Sequence, residues 1–128
     1  MKRILILDDE PSITFSLSRC LKSDKVEVIS CNDSSTARLA LARDGVDAVI
    51  ADVRLSPSNL NESIDLIRDI RAQSHSVPLI MMSGTEDLKE EAMVRGANYF
   101  LSKPLDIDAL ILLLHDLGLE VGQQQKAS

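Results

Sequence analysis

Five residues with reactive or charged side chains stand at or just beyond the carboxyl ends of short apolar runs. Asp8 and Asp9 follow Ile4-Leu5-Ile6-Leu7, and Asp52 follows Val49-Ile50-Ala51. Ser83 follows Leu79-Ile80-Met81-Met82, and Lys103 comes soon after Tyr99-Phe100-Leu101. Carboxylates brought together repel, and they stay ionised only beside a bound cation or by sharing a proton. An all-oxygen set without His or Cys favours a hard ion, and few protein ligands completed by water suit Mg²⁺. A lysine is the point charge expected beside a phosphoryl group, and a serine hydroxyl can donate to one. Together these types make an aspartyl-phosphate site chemically sensible, with Asp52 as the nucleophile.

Each residue also has a plainer use. Asp8, Asp9 and Glu10 precede Pro11, where negative charge favours a helix start. One cap accounts for one acid, not for two and Asp52 as well. His75 and His115 lie far apart with no ligand at metal spacing, so they read as surface histidines and no zinc site is expected. Cys20 falls on the apolar face of the first helix and reads as a packed thiol, and Met81 and Met82 read as core filling.

What positions these side chains is a repeated alternation. Apolar runs at Arg3–Leu7, Val26–Ser30, Asp47–Asp52, Val77–Met82 and Asn98–Leu101 are separated by segments of helical periodicity. Ile13, Leu17, Cys20 and Leu21 recur at helical spacing, as do Ala37, Ala40 and Leu41, then Leu60, Ile64, Ile67 and Ile70. On the last helix Ile107, Leu110, Leu114 and Leu117 form the stripe, with Leu112 opposite. Pro11 suits a first helical turn, Asp33 or Ser34 a cap, and Gly45, Gly96 and Gly118 helix ends. Strand–helix alternation specifies an α/β fold with a parallel sheet. The first, third and fourth runs are almost wholly apolar, as strands covered on both faces must be. The second carries Glu27 and the fifth opens on Asn98 and Tyr99, which marks them as edges. Edges at two and five fit the doubly wound order 2-1-3-4-5, flavodoxin-like, with helices on both faces. In that order the ligand crevice lies beyond the carboxyl ends, so Asp8, Asp9, Asp52, Ser83 and Lys103 converge by topology alone.

Composition excludes other classes. With 128 residues, a single domain is the default. A net charge of −6 opposes direct nucleic-acid binding, and two Phe, one Tyr and no Trp leave little to stack bases on. No apolar run approaches the roughly 20 residues of a membrane span, and Asp8 and Asp9 come too early for a signal peptide. Two cysteines are too few for a disulfide framework, so a reducing cytoplasm is the expected setting.

The chain resembles the receiver domain of two-component response regulators, the family that includes the chemotaxis response regulator. The marks are Ile4-Leu5-Ile6-Leu7-Asp8-Asp9-Glu10-Pro11, Asp52 at a strand end, Ser83 after its apolar run, and Gly96-Ala97-Asn98-Tyr99-Phe100-Leu101-Ser102-Lys103-Pro104. The resemblance covers residues 1–117 as the receiver domain, leaving 118–128 as a polar tail or the start of a linker. It implies Asp52 as phosphoacceptor, with Asp8, Asp9, Asp52 and the Arg54 backbone carbonyl holding Mg²⁺. Ser83 is then the switch hydroxyl, Phe100 the switch aromatic, pointing outward without phosphate and inward with it, and Lys103 the phosphate-pairing lysine. Two features depart from the family. The segment Val53–Ser63 after Asp52 is longer than the usual turn and lacks its glycine, with Asn59 and Glu62 spaced as a capping box. Phe100 stands where Tyr or His is also frequent, and a phenyl ring cannot donate a hydrogen bond.

The reading is therefore Mg²⁺-dependent phosphotransfer from a histidine kinase, or a phosphotransfer protein, to Asp52. Such a domain catalyses only its own phosphorylation and slow dephosphorylation. Its output is a protein target or fused effector, with a homodimer through the fourth helix, fifth strand and fifth helix as a further expectation. Two alternatives stand beside it: a receiver-like scaffold independent of phosphorylation, and a small Mg²⁺-dependent phosphohydrolase. The haloacid-dehalogenase-like phosphatases carry a second Asp two residues after the nucleophile, and Arg54 occupies that position here.

Overall fold

Among the residues described by the structure, a computed structural model, five strands alternate with five helices. The strands are β1 (Lys2–Leu7), β2 (Val26–Cys31), β3 (Ala48–Asp52), β4 (Leu79–Ser83) and β5 (Tyr99–Ser102). The helices are α1 (Pro11–Leu21), α2 (Ser34–Asp44), α3 (Leu60–Gln73), α4 (Lys89–Arg95) and α5 (Ile107–Asp116). The described residues are 1–52, 60–84 and 89–122, with the backbone alone for 60–64. The expected runs thus become strands with ends moved by one or two residues.

The strands form one parallel sheet in the order β2-β1-β3-β4-β5, as the placement of the edges required. β3 and β4 are buried along their whole length, as is the apolar part of β1. β2 and β5 are partly open. Strand alternation sends Leu5, Leu7, Val49, Ala51, Leu79 and Met81 to one face, where they pack with α2, α3 and α4. Ile4, Ile6, Ala48, Ile50, Ile80 and Met82 go to the other, against α1 and α5.

Local signals were read correctly at several helix ends. Pro11 opens α1. Asp33 caps α2, its carboxylate accepting the Thr36 N–H at 2.7 Å, a bond that holds its pKa below the usual carboxylate value. Gly45 ends α2 at φ 70°, where a side chain would be strained.

Cys20 is a correction. It is exposed, and α1 buries Thr14, Leu17 and Leu21 instead. At 3.6 residues per turn Cys20 lies about a quarter turn off the centre of that stripe. The packed thiol is Cys31, at the end of β2, where burial and then the Asp33 charge push its pKa up and keep it protonated.

The segment after α5 also differs from a frayed tail. Leu119 and Val121 are buried with the α1–α5 face. Gly122 N donates to Leu21 O at 2.9 Å, and Ser23 Oγ donates to Glu120 O at 2.6 Å. His115 Nε2 lies 3.2 Å from Val121 O. Residues 118–122 therefore strap α5 to the end of α1 at the amino edge of the sheet. There Glu120 lines a shallow hollow with Met1, Lys2 and Lys25. Residues 123–128 lie outside the described ones.

Candidate functional site

Each candidate side chain owes its place to a strand end. β1 pairs with β3 through Leu7 and Ala51, so the next residues, Asp8 and Asp52, emerge side by side beyond the ladder. β4 and β5 end level, with Ser83 opposite Ser102, and Lys103 N donates to Ser83 O at 2.7 Å. That last rung turns Lys103 back over the sheet edge toward the acids.

Lys103 Nζ donates to Asp8 Oδ2 at 3.0 Å and to Asp52 Oδ2 at 3.1 Å. Both carboxylates are buried, Asp8 fully and Asp52 to 7% exposure, so one ammonium is shared between two desolvated carboxylates. Burial works against the lysine's own charge. The hydrogen bonds it donates to Asp8 and Asp52, with their negative charge, outweigh it and raise the lysine pKa above its ordinary 10.5.

Carboxylate oxygens of Asp8, Asp9 and Asp52 lie within 4.8 Å of one another, near enough to hold one ion between them. Three oxygen donors, one of them exposed at Asp9, fit a hard divalent cation that keeps part of its water. The capping account of the acids does not describe this edge. Glu10 occupies the N-cap of α1 without a side-chain cap bond. Asp8 Oδ1 accepts from Glu10 N at 2.9 Å, a bond that orients the carboxylate within the turn.

Ser83 is 2% exposed at the end of β4, one strand from Asp52. Phe100 is half-buried, packed on the cluster shared by α2, α3 and α4 rather than standing clear of it. Arg54 and the Asn59–Glu62 pair lie outside the residues whose side chains or loops are described. Sequence reasoning missed Asn32 and Thr14, which stand behind Asp8. It also missed the cis peptide bond between Lys103 and Pro104.

A doubly wound sheet with an acidic trio and a lysine at its carboxyl edge is suited to a domain that handles a phosphoryl group. The chain belongs to the response regulator receiver domain family, whose sequence profile matches residues 4–115. It is 32% identical over 111 residues to the response regulator protein PilR of Pseudomonas aeruginosa, covering 85% of this chain and 24% of that protein. It is 31% identical over 113 residues to the transcriptional regulatory protein CpxR of Escherichia coli, covering 87% of this chain and 47% of CpxR. Among solved structures, the chemotaxis response regulator CheY4 of Vibrio cholerae superposes with a TM-score of 0.79 at 24% identity. That match covers 91% of this chain and 98% of CheY4, and it shows the shared fold. The chain spans half or less of the length of the curated relatives it matches. Among the described residues no helix is long and apolar enough to cross a membrane.

Proposed function

We propose that Asp52 accepts a phosphoryl group from a histidine kinase or a phosphotransfer protein, and that its arrival resets a protein-binding face. The observation that carries this reading is the Lys103 ammonium shared between Asp8 and Asp52 inside an all-oxygen acidic cluster. The Asp52 carboxylate oxygen attacks phosphorus as the bond from phosphorus to the donor nitrogen breaks, and the donor ring, already protonated on its other nitrogen, leaves as neutral imidazole. Lys103 holds the Asp52 carboxylate in place and then pairs with the phosphoryl oxygens. Asp8, Asp9 and Asp52 would hold Mg²⁺, with the Arg54 carbonyl as the further ligand the family resemblance implies, and the ion would supply charge neutralisation for those oxygens. Water later attacks phosphorus and releases phosphate, so the domain resets itself rather than turning over a substrate. An apolar groove lined by Ile13, Leu17, Leu105 and Ile107 borders Lys103 and gives a donor protein a surface beside the nucleophile.

Ser83 is our candidate for reporting the phosphoryl group and Phe100 for following it. The face they address carries exposed Met93, Val94 and Leu112 on α4 and α5, suited to a target, a fused effector or a second copy. Free Cys20 and Cys31 agree with a cytoplasmic setting.

Intact-mass measurement after treatment with acetyl phosphate and Mg²⁺ tests the proposal. One phosphoryl group is expected on the parent, and none on Asp52→Asn or in EDTA. Ser83→Ala should still be labelled at Asp52, yet leave the amide resonances of α4, β5 and α5 largely unshifted. Full labelling of Asp52→Asn overturns the assignment.

A further inference from the structure

Asn32 directly follows β2, and its side-chain amide reaches across to the acidic segment. Nδ2 donates to the Asp8 carbonyl oxygen at 2.9 Å and to Thr14 Oγ1 at 3.1 Å. A carbonyl oxygen only accepts, so the contact with Asp8 O fixes which way the amide faces. Thr14, 3% exposed on α1, gives its own hydroxyl proton to Pro11 O at 3.1 Å, which leaves its lone pairs for Asn32. On the other side of Asp8, its N–H donates to Cys31 O at 3.1 Å. Consecutive residues, Cys31 and Asn32, therefore hold both backbone polar groups of Asp8.

The two bonds differ in kind. The N–H bond continues the β1–β2 ladder, whose last pair is Leu7 with Cys31. The carbonyl lies past that pair, where the chain turns toward α1, and there a side chain supplies the donor. The Asp8 carbonyl belongs to the peptide plane joining Asp8 to Asp9. The pitch of that plane sets ψ of Asp8 and φ of Asp9, and with them the direction of the Asp9 carboxylate relative to that of Asp8. Asp9 is exposed, so its aim toward Asp52 rather than water depends on that pitch.

We propose that Asn32 is a positioning residue for the cation site. Bonded between β2 and α1, it keeps the Asp8 and Asp9 carboxylates converging on Asp52 at the spacing a small divalent cation needs. The inference rests on reading Asp8, Asp9 and Asp52 as a Mg²⁺ site. Mg²⁺ requires near-octahedral ligands at short range, whereas Ca²⁺ accepts longer and less regular contacts. A loosened Asp8–Asp9 plane therefore penalises Mg²⁺ more than Ca²⁺.

Titration of the full chain with each ion separately, followed by amide shifts of residues 8–10 and 52, tests this. Asn32→Ala is expected to weaken Mg²⁺ about 10-fold, the low end for loss of an outer-shell partner, and Ca²⁺ about 3-fold or less. Thr14→Val, which keeps the shape but removes the acceptor steadying Asn32, should move the ratio the same way by less. A merely structural role would weaken both ions alike and shift amides throughout the sheet, and that pattern overturns the proposal. So do parent-like affinities for both ions in Asn32→Ala. A parent chain in which neither ion moves residues 8–10 or 52 overturns the reading of the site itself, and the proposal with it.

Discussion

Lys103 is the residue on which the electrostatics of the site turn. Its folded pKa lies above the ordinary 10.5, so the stability it contributes is complete below pH 10.5 and is lost only as pH rises through the higher folded value. At neutral pH the ammonium is fully charged and balances carboxylates that have almost no access to water. Removing one partner of a fully buried pair costs about 3–5 kcal/mol, and Lys103, with its side chain 23% exposed, should fall below that. Lys103→Met is expected to lose about 2–3 kcal/mol at neutral pH in EDTA, with Mg²⁺ restoring much of the loss by taking over the charge balance. Urea unfolding with and without Mg²⁺ measures both parts, and a variant as stable as the parent in EDTA would contradict this account. The acids, Ser83 and Lys103 were legible in the sequence because each follows an apolar run, and topology does the rest. Asn32 and Thr14 were not, because their meaning lies in contacts 24 and 18 residues away along the chain. Neither residue type nor local spacing announces such a contact.

Among the elements, the turn that leaves α4 is tied down by a side chain of another helix. Arg71, near the end of α3, donates to Gly96 O at 3.0 and 2.7 Å, to Ser74 O at 3.2 Å and to Val77 O at 2.9 Å. It also reaches Asn98 Oδ1 at 2.8 Å, and that oxygen accepts from Leu79 N as well. The guanidinium thus binds the exit of α3, the start of β4 and the turn from α4 into β5. Ala92 is the one buried residue among those described for α4, and it packs in the cluster shared with α2 and α3. A β-carbon at Gly96 would press on Arg71 Cγ at 3.1 Å, and its φ of 132° suits glycine alone. Arg71→Met is expected to cost about 3 kcal/mol, since several carbonyls lose a charged donor together. Lysine, which cannot fork, should recover only part. Hydrogen exchange should quicken at residues 74–79 and 96–98 before it does in β1 and β3. Uniform acceleration across the sheet would mean that Arg71 has no local role. Strand order was legible in the burial that each run's composition demands. The face of α1 was less so: Cys20 counted as apolar and Thr14 as polar, whereas the hydroxyl of Thr14 has its partners and can be buried.

For the molecule as a whole, the packed unit runs through the segment beyond Leu117. Deleting a buried aliphatic side chain costs about 2–5 kcal/mol, so Val121→Ala should lose about 2 kcal/mol. A chain ended at Leu117, lacking both Leu119 and Val121, should lose about 4 kcal/mol or more. Denaturation midpoints against a chain ended at Gly122 check this, and equal midpoints would return the segment to the role of a tail. Apolar residues spaced by polar ones beside a glutamine run read as a frayed end, because the sequence does not say that the C-terminus of α1 lies within reach. The strap also brings Gly122 to the edge of the sheet where β1 begins. Lys2 N donates to Lys25 O at the amino edge, and Gly122 arrives at the same edge beside Leu21. The carboxylates open at the opposite edge, one strand length away, about 20 Å for six residues. Lys2 and Gly122 therefore both sit on the side of the sheet away from the reactive pocket, so chain that enters before β1 or leaves after Gly122 does so about one strand length from the carboxylates.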